Sequence, residues 1–291
     1  MNQRVSPQKT IAAVCCHFNP CHYISRRNNY RKFKRALQAS GIRLLTVELA
    51  FGNDAFELPA NENVLHVRGG DIMWQKERLW QLGGEHLLEQ GYQHLVFLDA
   101  DILFHEEHWV SEVLRALDHY PLIQCFSQVN AHYSDQLVVL DSGIKRYRQE
   151  GDLTGRHGYA WAWRADAFIN AGFYQHCVIG GGDSALLGAA LALNSGEEQQ
   201  RMMEAHFDFL RHTGSAMSLH YETWMQRLVS ATQASSGYAN LTISSLSHGS
   251  RARRNYVFRH KLLNDFEPEK EISYEAAGAF YWTSKGIQRA E

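Results

Sequence analysis

His94-Leu-Val-Phe-Leu-Asp-Ala-Asp-Ile-Leu-Phe104 is the run whose reading decides the fold. Leu95 to Leu98 are four consecutive apolar residues, the character of a strand buried on both faces, and two carboxylates, Asp99 and Asp101, arrive at its end. Because side chains alternate along a strand, both are expected on one face. Two carboxylates in one space repel each other unless a cation sits between them, and all-oxygen ligation suits Mg2+ or Mn2+. The competing reading is a strand end with two solvated aspartates, since so short a pattern recurs by chance.

Upstream of this run, Thr10 to Phe18 reads as a first buried strand ended by Asn19-Pro20. Ser25 can cap a helix reaching about Ala39, with Tyr30, Phe33 and Leu37 on one side and Arg27, Arg31 and Arg35 on another. Gly41 closes it and Arg43 to Ala50 follows as a second strand, so the chain opens β-α-β. Val64 to Val67 is a third strand, and Gly69-Gly70-Asp71 leads into a helix from about Met73 to Glu89. Beyond the acidic strand come a helix over 106–118, a strand over 122–127, the patch Gln136 to Ser142 and a glycine-rich passage, Gly151 to Gly158. Helices are expected over 165–171, 184–193, 197–212 and 218–232, the third opened by the capping box Ser195-Gly-Glu-Glu198. Strands alternating with helices imply a mostly parallel sheet that places ligands at the carboxyl ends of its strands, where Asn19 and Asp99 both fall.

The 291 residues suffice for one large α/β domain, and 45% hydrophobic with 21% charged residues is ordinary for a globular chain. The polar start, Met1 to Lys9, precedes too short an apolar stretch for a signal peptide, and no run approaches the ~18 residues of a membrane span. A soluble cytoplasmic protein without membrane contact is therefore expected. Five cysteines without framework spacing read as reduced thiols. Cys16-His17 and Cys21-His22 lack the second separated pair that a structural zinc site needs. A net charge of −2 excludes no partner by itself, because cations cluster locally: Arg26, Arg27, Arg31, Lys32, Lys34 and Arg35, then Arg251, Arg253, Arg254, Arg259 and Lys261.

Three motifs in order become specific together. Leu98-Asp-Ala-Asp-Ile-Leu-Phe104 resembles the metal-binding Asp-x-Asp of nucleotide-sugar glycosyltransferases with the GT-A fold. Gly158-Tyr-Ala-Trp-Ala-Trp-Arg-Ala-Asp-Ala-Phe168, followed by Gly172-Phe173 and Gly180-Gly-Gly-Asp183, is similar to the acceptor-side segment of the galactosyltransferase and N-acetylgalactosaminyltransferase branch. His248-Gly-Ser-Arg-Ala-Arg-Arg-Asn-Tyr-Val-Phe-Arg259 stands where that family supplies a late histidine ligand. The resemblance implies a single Rossmann-like GT-A domain over 10–265, with a nucleotide-sugar-binding half over 10–105 and an acceptor-side half over 106–265. A polar tail over 1–9 and an extension over 266–291 flank it. The chain departs from the branch at Ser184, where the family's acidic pair would place a second acid after Asp183.

The implied chemistry is hexosyl or pentosyl transfer from a nucleoside-diphosphate sugar, a UDP-sugar foremost, to a hydroxyl acceptor. Asp101, with Asp99 on the ribose or the metal, and His248 would hold Mn2+ or Mg2+ against the departing diphosphate. Arg251 or Arg254 can add charge-assisted contacts to the same phosphates. Asp183 is the candidate general base if configuration inverts; a helix N-cap is its other reading. Trp161 and Trp163, two apart on a strand, either stack on an acceptor or pack in the core. Lys76 and Arg78 lie where the resemblance implies nucleotide contacts, although a solvated helix face is equally compatible; Asn19 and Arg27 are placed near the nucleoside by the same implication. The acceptor is a glycan or small molecule or, given the basic clusters, a hydroxylated base in DNA. A haloacid-dehalogenase-like phosphatase and a noncatalytic nucleic-acid-binding protein are the rival classes. The first normally carries its Asp-x-Asp near the chain start, and the second leaves the carboxylates without a role.

Overall fold

The computed structural model describes residues 9–133, 136–193, 201–203, 215–247 and 259–290. In chain order the elements are β1 (Lys9–Phe18), α1 (Ile24–Ala39), β2 (Arg43–Ala50), β3 (Val64–Arg68), α2 (Lys76–Glu89), β4 (Tyr92–Leu98), β5 (Ile102–Phe104) and α3 (Trp109–His119). Then follow β6 (Leu122–Gln124), β7 (Gln128–Tyr133), β8 (Gln136–Asp141), α4 (Gly143–Glu150), β9 (Ala160–Arg164), α5 (Ala165–Ala171), α6 (Gly182–Ala190) and α7 (Ser215–Thr232). The chain continues through β10 (Gly237–Tyr238), β11 (Thr242–Ser245), a 3-10 turn (Arg259–Leu263), α8 (Pro268–Glu271), β12 (Ile272–Tyr274), β13 (Phe280–Trp282) and α9 (Ser284–Ala290).

A seven-stranded sheet in the order β10-β6-β9-β4-β1-β2-β3 forms the centre. Within it β1 pairs in parallel with β2 and β4, β2 with β3, and β6 with β10, while β9 runs antiparallel between β4 and β6. The fold is thus mixed α/β with a mostly parallel central sheet flanked by helices. Alternation explains its burial: Ala12 and Val14 of β1 join one core cluster and Ala13 and Cys15 the other, so both faces are covered. Helices α2 and α5 lie on the first face, with Leu79, Trp80 and Phe168 in its core. Helices α1 and α3 supply Tyr30, Phe33, Leu37, Val113 and Leu117 to the second.

Three details differ from the sequence reading. Strand β4 ends at Leu98, and Asp99 to Asp101 form a turn before β5, which belongs to a separate four-stranded sheet, β5-β11-β7-β8. Period-2 alternation therefore does not carry through the two aspartates. Helix α1 starts at Ile24 with Tyr23 in the cap position, two residues before the serine expected there. The predicted capping box at Ser195 and most of the helix expected over 197–212 lie outside the described residues. No helix among the described residues is long and apolar enough to cross a membrane.

Candidate functional site

The site forms where α2 begins. Gln75 caps that helix without a side-chain bond to it. Its amide instead reaches the β12–β13 hairpin, with Nε2 donating to the carbonyl of Phe280 at 3.0 Å and Oε1 accepting from the Phe280 amide at 3.0 Å. Three residues on, Arg78 donates to the carbonyls of Gly278, Glu275 and Ala276. Held from that side, the first turn directs Lys76 and Glu77 inward, where they are 4% and 3% exposed.

Lys76 is the hub. Its Nζ lies 2.6 Å from Asp183 Oδ1, 3.2 Å from Asp99 Oδ1 and 3.9 Å from Glu77 Oε1, and 4.5 Å from the centre of the Trp80 ring. Burial alone would discharge this lysine, but Asp183, Asp99 and Glu77 outweigh it and hold its pKa well above the ordinary value. Burial pushes Glu77 up to about 8 against the opposing pull of Lys76, with Asp183 adding to the rise. Asp99 is raised too, by burial first, with Lys76 opposing and the charges of Asp183 and Asp101 reinforcing it. One ammonium thus serves three carboxylates at the carboxyl edge of the sheet.

The strand-entry segment His157-Gly158-Tyr159 ties the cluster together. Asp99 Oδ2 accepts from the Tyr159 amide at 3.2 Å, and the Asp99 amide donates to the Tyr159 carbonyl at 2.8 Å. This reciprocal pair accompanies a φ of 76° at Tyr159, a left-handed conformation unfavourable for an aromatic residue. A Cβ on Gly158 would stand 2.5 Å from Asp183 Oδ2, so only glycine leaves that oxygen room. Gly182 plays the same part for Glu77, whose Oε1 would collide with a side chain there. His157 Nε2 faces the Leu153 carbonyl at 2.9 Å and Nδ1 faces Ser184 Oγ at 2.9 Å. A carbonyl only accepts, so a neutral His157 carries its proton on Nε2 and takes the Ser184 hydroxyl proton in a hydrogen bond at Nδ1.

Asp183 accordingly does not cap α6: Gly181 occupies that position, and the Asp183 carboxylate is bound to Lys76. Asp99, Asp183 and Lys76 are brought together. Lys76 is not on a solvated face, and Arg78 is committed to the hairpin. Asn19 and Arg27 also meet, but on Glu57: Asn19 Nδ2 donates to Glu57 Oε1 at 3.1 Å, Arg27 Nε lies 3.2 Å from the same oxygen, and His17 Nε2 is 2.8 Å from Oε2. Trp161 and Trp163 do share one face, as their spacing predicts, yet both are 0% exposed in the core beside Phe97 and Phe168. That corrects their acceptor-stacking role, since the sheet covered by α2 and α5 leaves no ring face open to a ligand. His248, Arg251 and Arg254 lie outside the described residues.

The donor set for a divalent ion is incomplete among the described residues. Both Asp99 oxygens are engaged, one by Lys76 and one by the Tyr159 amide, and no group of three or more His, Cys, Asp or Glu side chains among the described residues is placed to hold a metal ion. The described residues therefore do not fit a metal cage by themselves.

Sequence reading misses Glu77 and the His157–Ser184 pair. Glu77 has no visible signal, being one of three glutamates on an amphipathic helix. His157 stands beside Gly158 in the recognised motif, and Ser184 stands out only as a departure from it.

Neither a protein-family model nor a curated protein sequence matches the chain. Among solved structures, it is similar to a protein of Desulfovibrio desulfuricans provisionally assigned as a nucleotide-diphospho-sugar transferase (12% identity, 88% of this chain and 94% of that one, TM-score 0.38). It is also similar to 4-diphosphocytidyl-2C-methyl-D-erythritol synthase of Anaerococcus prevotii (11% identity, 86% and 94%, TM-score 0.39). A third is a Drosophila galactosyltransferase in complex with manganese, UDP-Gal and xylobiose (11% identity, 62% of this chain and 59% of that one, TM-score 0.35). At these TM-scores the likeness identifies neither a family nor a reaction.

Proposed function

We propose that the chain is a transferase moving a sugar from a nucleoside-diphosphate sugar to a hydroxyl acceptor, with Asp183 as general base. The observation that carries this reading is the set of three carboxylates around one buried lysine at the carboxyl end of β4, where open α/β sheets bind their ligands. Asp183 Oδ1 is held by Lys76, which leaves Oδ2, in the space above Gly158, to receive the acceptor proton. As that proton transfers, the acceptor oxygen bonds to the anomeric carbon, the bond from that carbon to the diphosphate breaks, and the nucleoside diphosphate departs with the electron pair. Lys76 orients the base and keeps Asp99 engaged, and the Asp99–Tyr159 pair fixes the wall facing it. A divalent ion on Asp101 and His248, as the sequence resemblance implies, would supply charge for the leaving diphosphate.

A phosphatase using Asp99 as nucleophile fits less well. Both oxygens of Asp99 are occupied, and the carboxylate follows the fourth strand of the chain rather than the first. The deciding experiment incubates the chain with a panel of nucleotide sugars, with Mn2+, with Mg2+ and with EDTA, and reads released nucleoside diphosphate. Release from one donor, abolished by Asp183→Asn and strongly reduced by Gly158→Ala, is the expected result. Release of inorganic phosphate instead, or release untouched by Asp183→Asn, would overturn the assignment.

A further inference from the structure

The geometry points to a nucleic-acid phosphate backbone as the partner of the exposed face of α1. Helix α1 carries Arg26, Arg27, Arg31, Lys32, Lys34 and Arg35 in 16 residues and contains no acid. Segment 248–261 carries five more cations and likewise no acid. Those eleven leave 18 of the 29 lysines and arginines to balance 31 acids across the rest of the chain. The near-neutral total therefore conceals two basic stretches in an otherwise acidic sequence. The exposed cations of α1 give a polyanion a local positive field to approach.

The two basic stretches, more than two hundred residues apart, are joined at their roots. Asn29 Nδ2 of α1 donates to the Ser247 carbonyl at 3.0 Å, and the neighbouring Leu246 amide donates to the Asp101 carbonyl at 2.7 Å. The cationic helix, the residue just before the second basic stretch and the acidic turn of the site are thus consecutive links of one hydrogen-bonded chain. Among the described residues Arg31, Lys32 and Arg35 are exposed and form no ion pair, whereas Arg27 is taken by Glu57 and Arg26 by the Phe18 carbonyl.

Size separates the possible occupants. At about 1.5 Å per residue the helix is roughly 24 Å long. A donor diphosphate at the end of β1 cannot span it, while a polymer with one phosphate every few ångströms can. An anionic bilayer fits worse, because the apolar stripe of α1, Tyr30, Phe33 and Leu37, is turned into the core and unavailable to acyl chains. Binding of the polymer stands on the surface alone; that it delivers the acceptor hydroxyl to Asp183 rests on the transferase reading above.

The test is fluorescence anisotropy of the full chain with a labelled DNA duplex of about 25 base pairs, titrated between about 50 and 200 mM salt. With about four phosphate contacts, affinity is expected to fall roughly 100-fold over that range. The triple variant R31Q/K32Q/R35Q should bind at least about tenfold more weakly at the low-salt end, with a log-log salt slope shallower by about 3, each contact contributing about 0.9. Circular dichroism and an unchanged urea-unfolding midpoint of the same variant establish that it is folded. No duplex binding at about 50 mM salt, binding insensitive to the triple substitution, or equal binding to phosphatidylserine vesicles that the substitution also abolishes would each overturn the proposal. Duplex binding as expected without any sugar transfer leaves the surface intact and removes only the transferase reading; transfer without duplex binding does the reverse.

Discussion

Glu57 at the ends of β1 and β2 is ringed by donors, whereas Asp99, Glu77 and Asp183 share a single lysine at the end of β4. Around Glu57, burial resists ionisation, but the His17 hydrogen bond and charge, the Asn19 amide and Arg27 overcome it and lower its pKa. Around Lys76 the balance tips the other way for Glu77 and Asp99, which burial raises despite the ammonium. Sheet edge and residue type are the same in both places; the ratio of donors to carboxylates differs. A carboxylate with surplus donors is a fixed anion and serves as a strap, here tying the loop after β2 to β1. Carboxylates in surplus over donors keep their protons to higher pH, the shift by which acid–base groups are brought toward a working pH.

The largest effect expected from this contrast is kinetic. Asp183→Asn should lower transfer by about 10²- to 10⁴-fold, the usual reach of a general base, while Glu57→Gln should alter turnover by less than about tenfold. Rates of nucleoside-diphosphate release in the presence of acceptor measure both. Equal losses would erase the distinction between the two clusters.

Next comes stability. Lys76→Met strands buried carboxylates and should destabilise the fold by about 3–5 kcal/mol in urea unfolding. Glu57→Gln keeps hydrogen-bonding atoms in place and should lose no more than about 1.5–3 kcal/mol. A Lys76 variant as stable as the wild type would mean that the carboxylates are not dependent on it.

Glu77 gives the contrast a pH dependence. An unfolded chain releases this proton near the ordinary 4.5, and the folded chain keeps it up to about 8. Across that window the folded state binds more protons, so its contribution to stability is complete at the acid end and is lost as pH rises through about 8. Glu77→Gln should flatten the fall in unfolding free energy between about pH 5 and 8, which denaturation at the two pH values would read directly. A steeper fall in the variant would contradict the assignment.

The smallest effect is expected at Trp163, whose indole Nε1 is buried with no hydrogen-bond partner among the described residues. Trp163→Phe removes that donor, should shift stability by less than about 1.5 kcal/mol, and should leave acceptor KM unchanged. A raised acceptor KM would return the residue to the site.

Much of the frame is legible in the sequence because it rests on local rules. The β-α-β opening, the buried strand before Asp99 and the helix over 165–171 follow from periodicity and turn residues, and Ala165–Ala171 agrees residue for residue. Asp99 and Asp183, both candidates from their motifs, do converge, and Lys76, placed nearby only by resemblance, proves to be what joins them. What escapes depends on distant partners. Nothing within Ala160–Arg164 says that the strand runs antiparallel between β4 and β6, and the two tryptophans look equally suited to a ligand or a core until that sheet is closed over them. Alternation through Asp99 and Asp101 fails because the chain turns at Ala100 and Asp101 into β5, which pairs with β11 in the second sheet, a partner about 140 residues away.

Gln75 closes on Phe280, 205 positions later, and Arg78 on carbonyls nearly as far along. Synthesis at roughly 5–20 residues per second then separates the appearance of Lys76 from the hairpin that braces its helix by about ten to forty seconds. The nascent chain can pair β1, β2 and β4 long before, but the turn that aims its central lysine is not clasped until β12 and β13 have left the ribosome. A chain cut short ahead of β13 would therefore carry every residue of the carboxylate cluster without the clamp that sets its geometry.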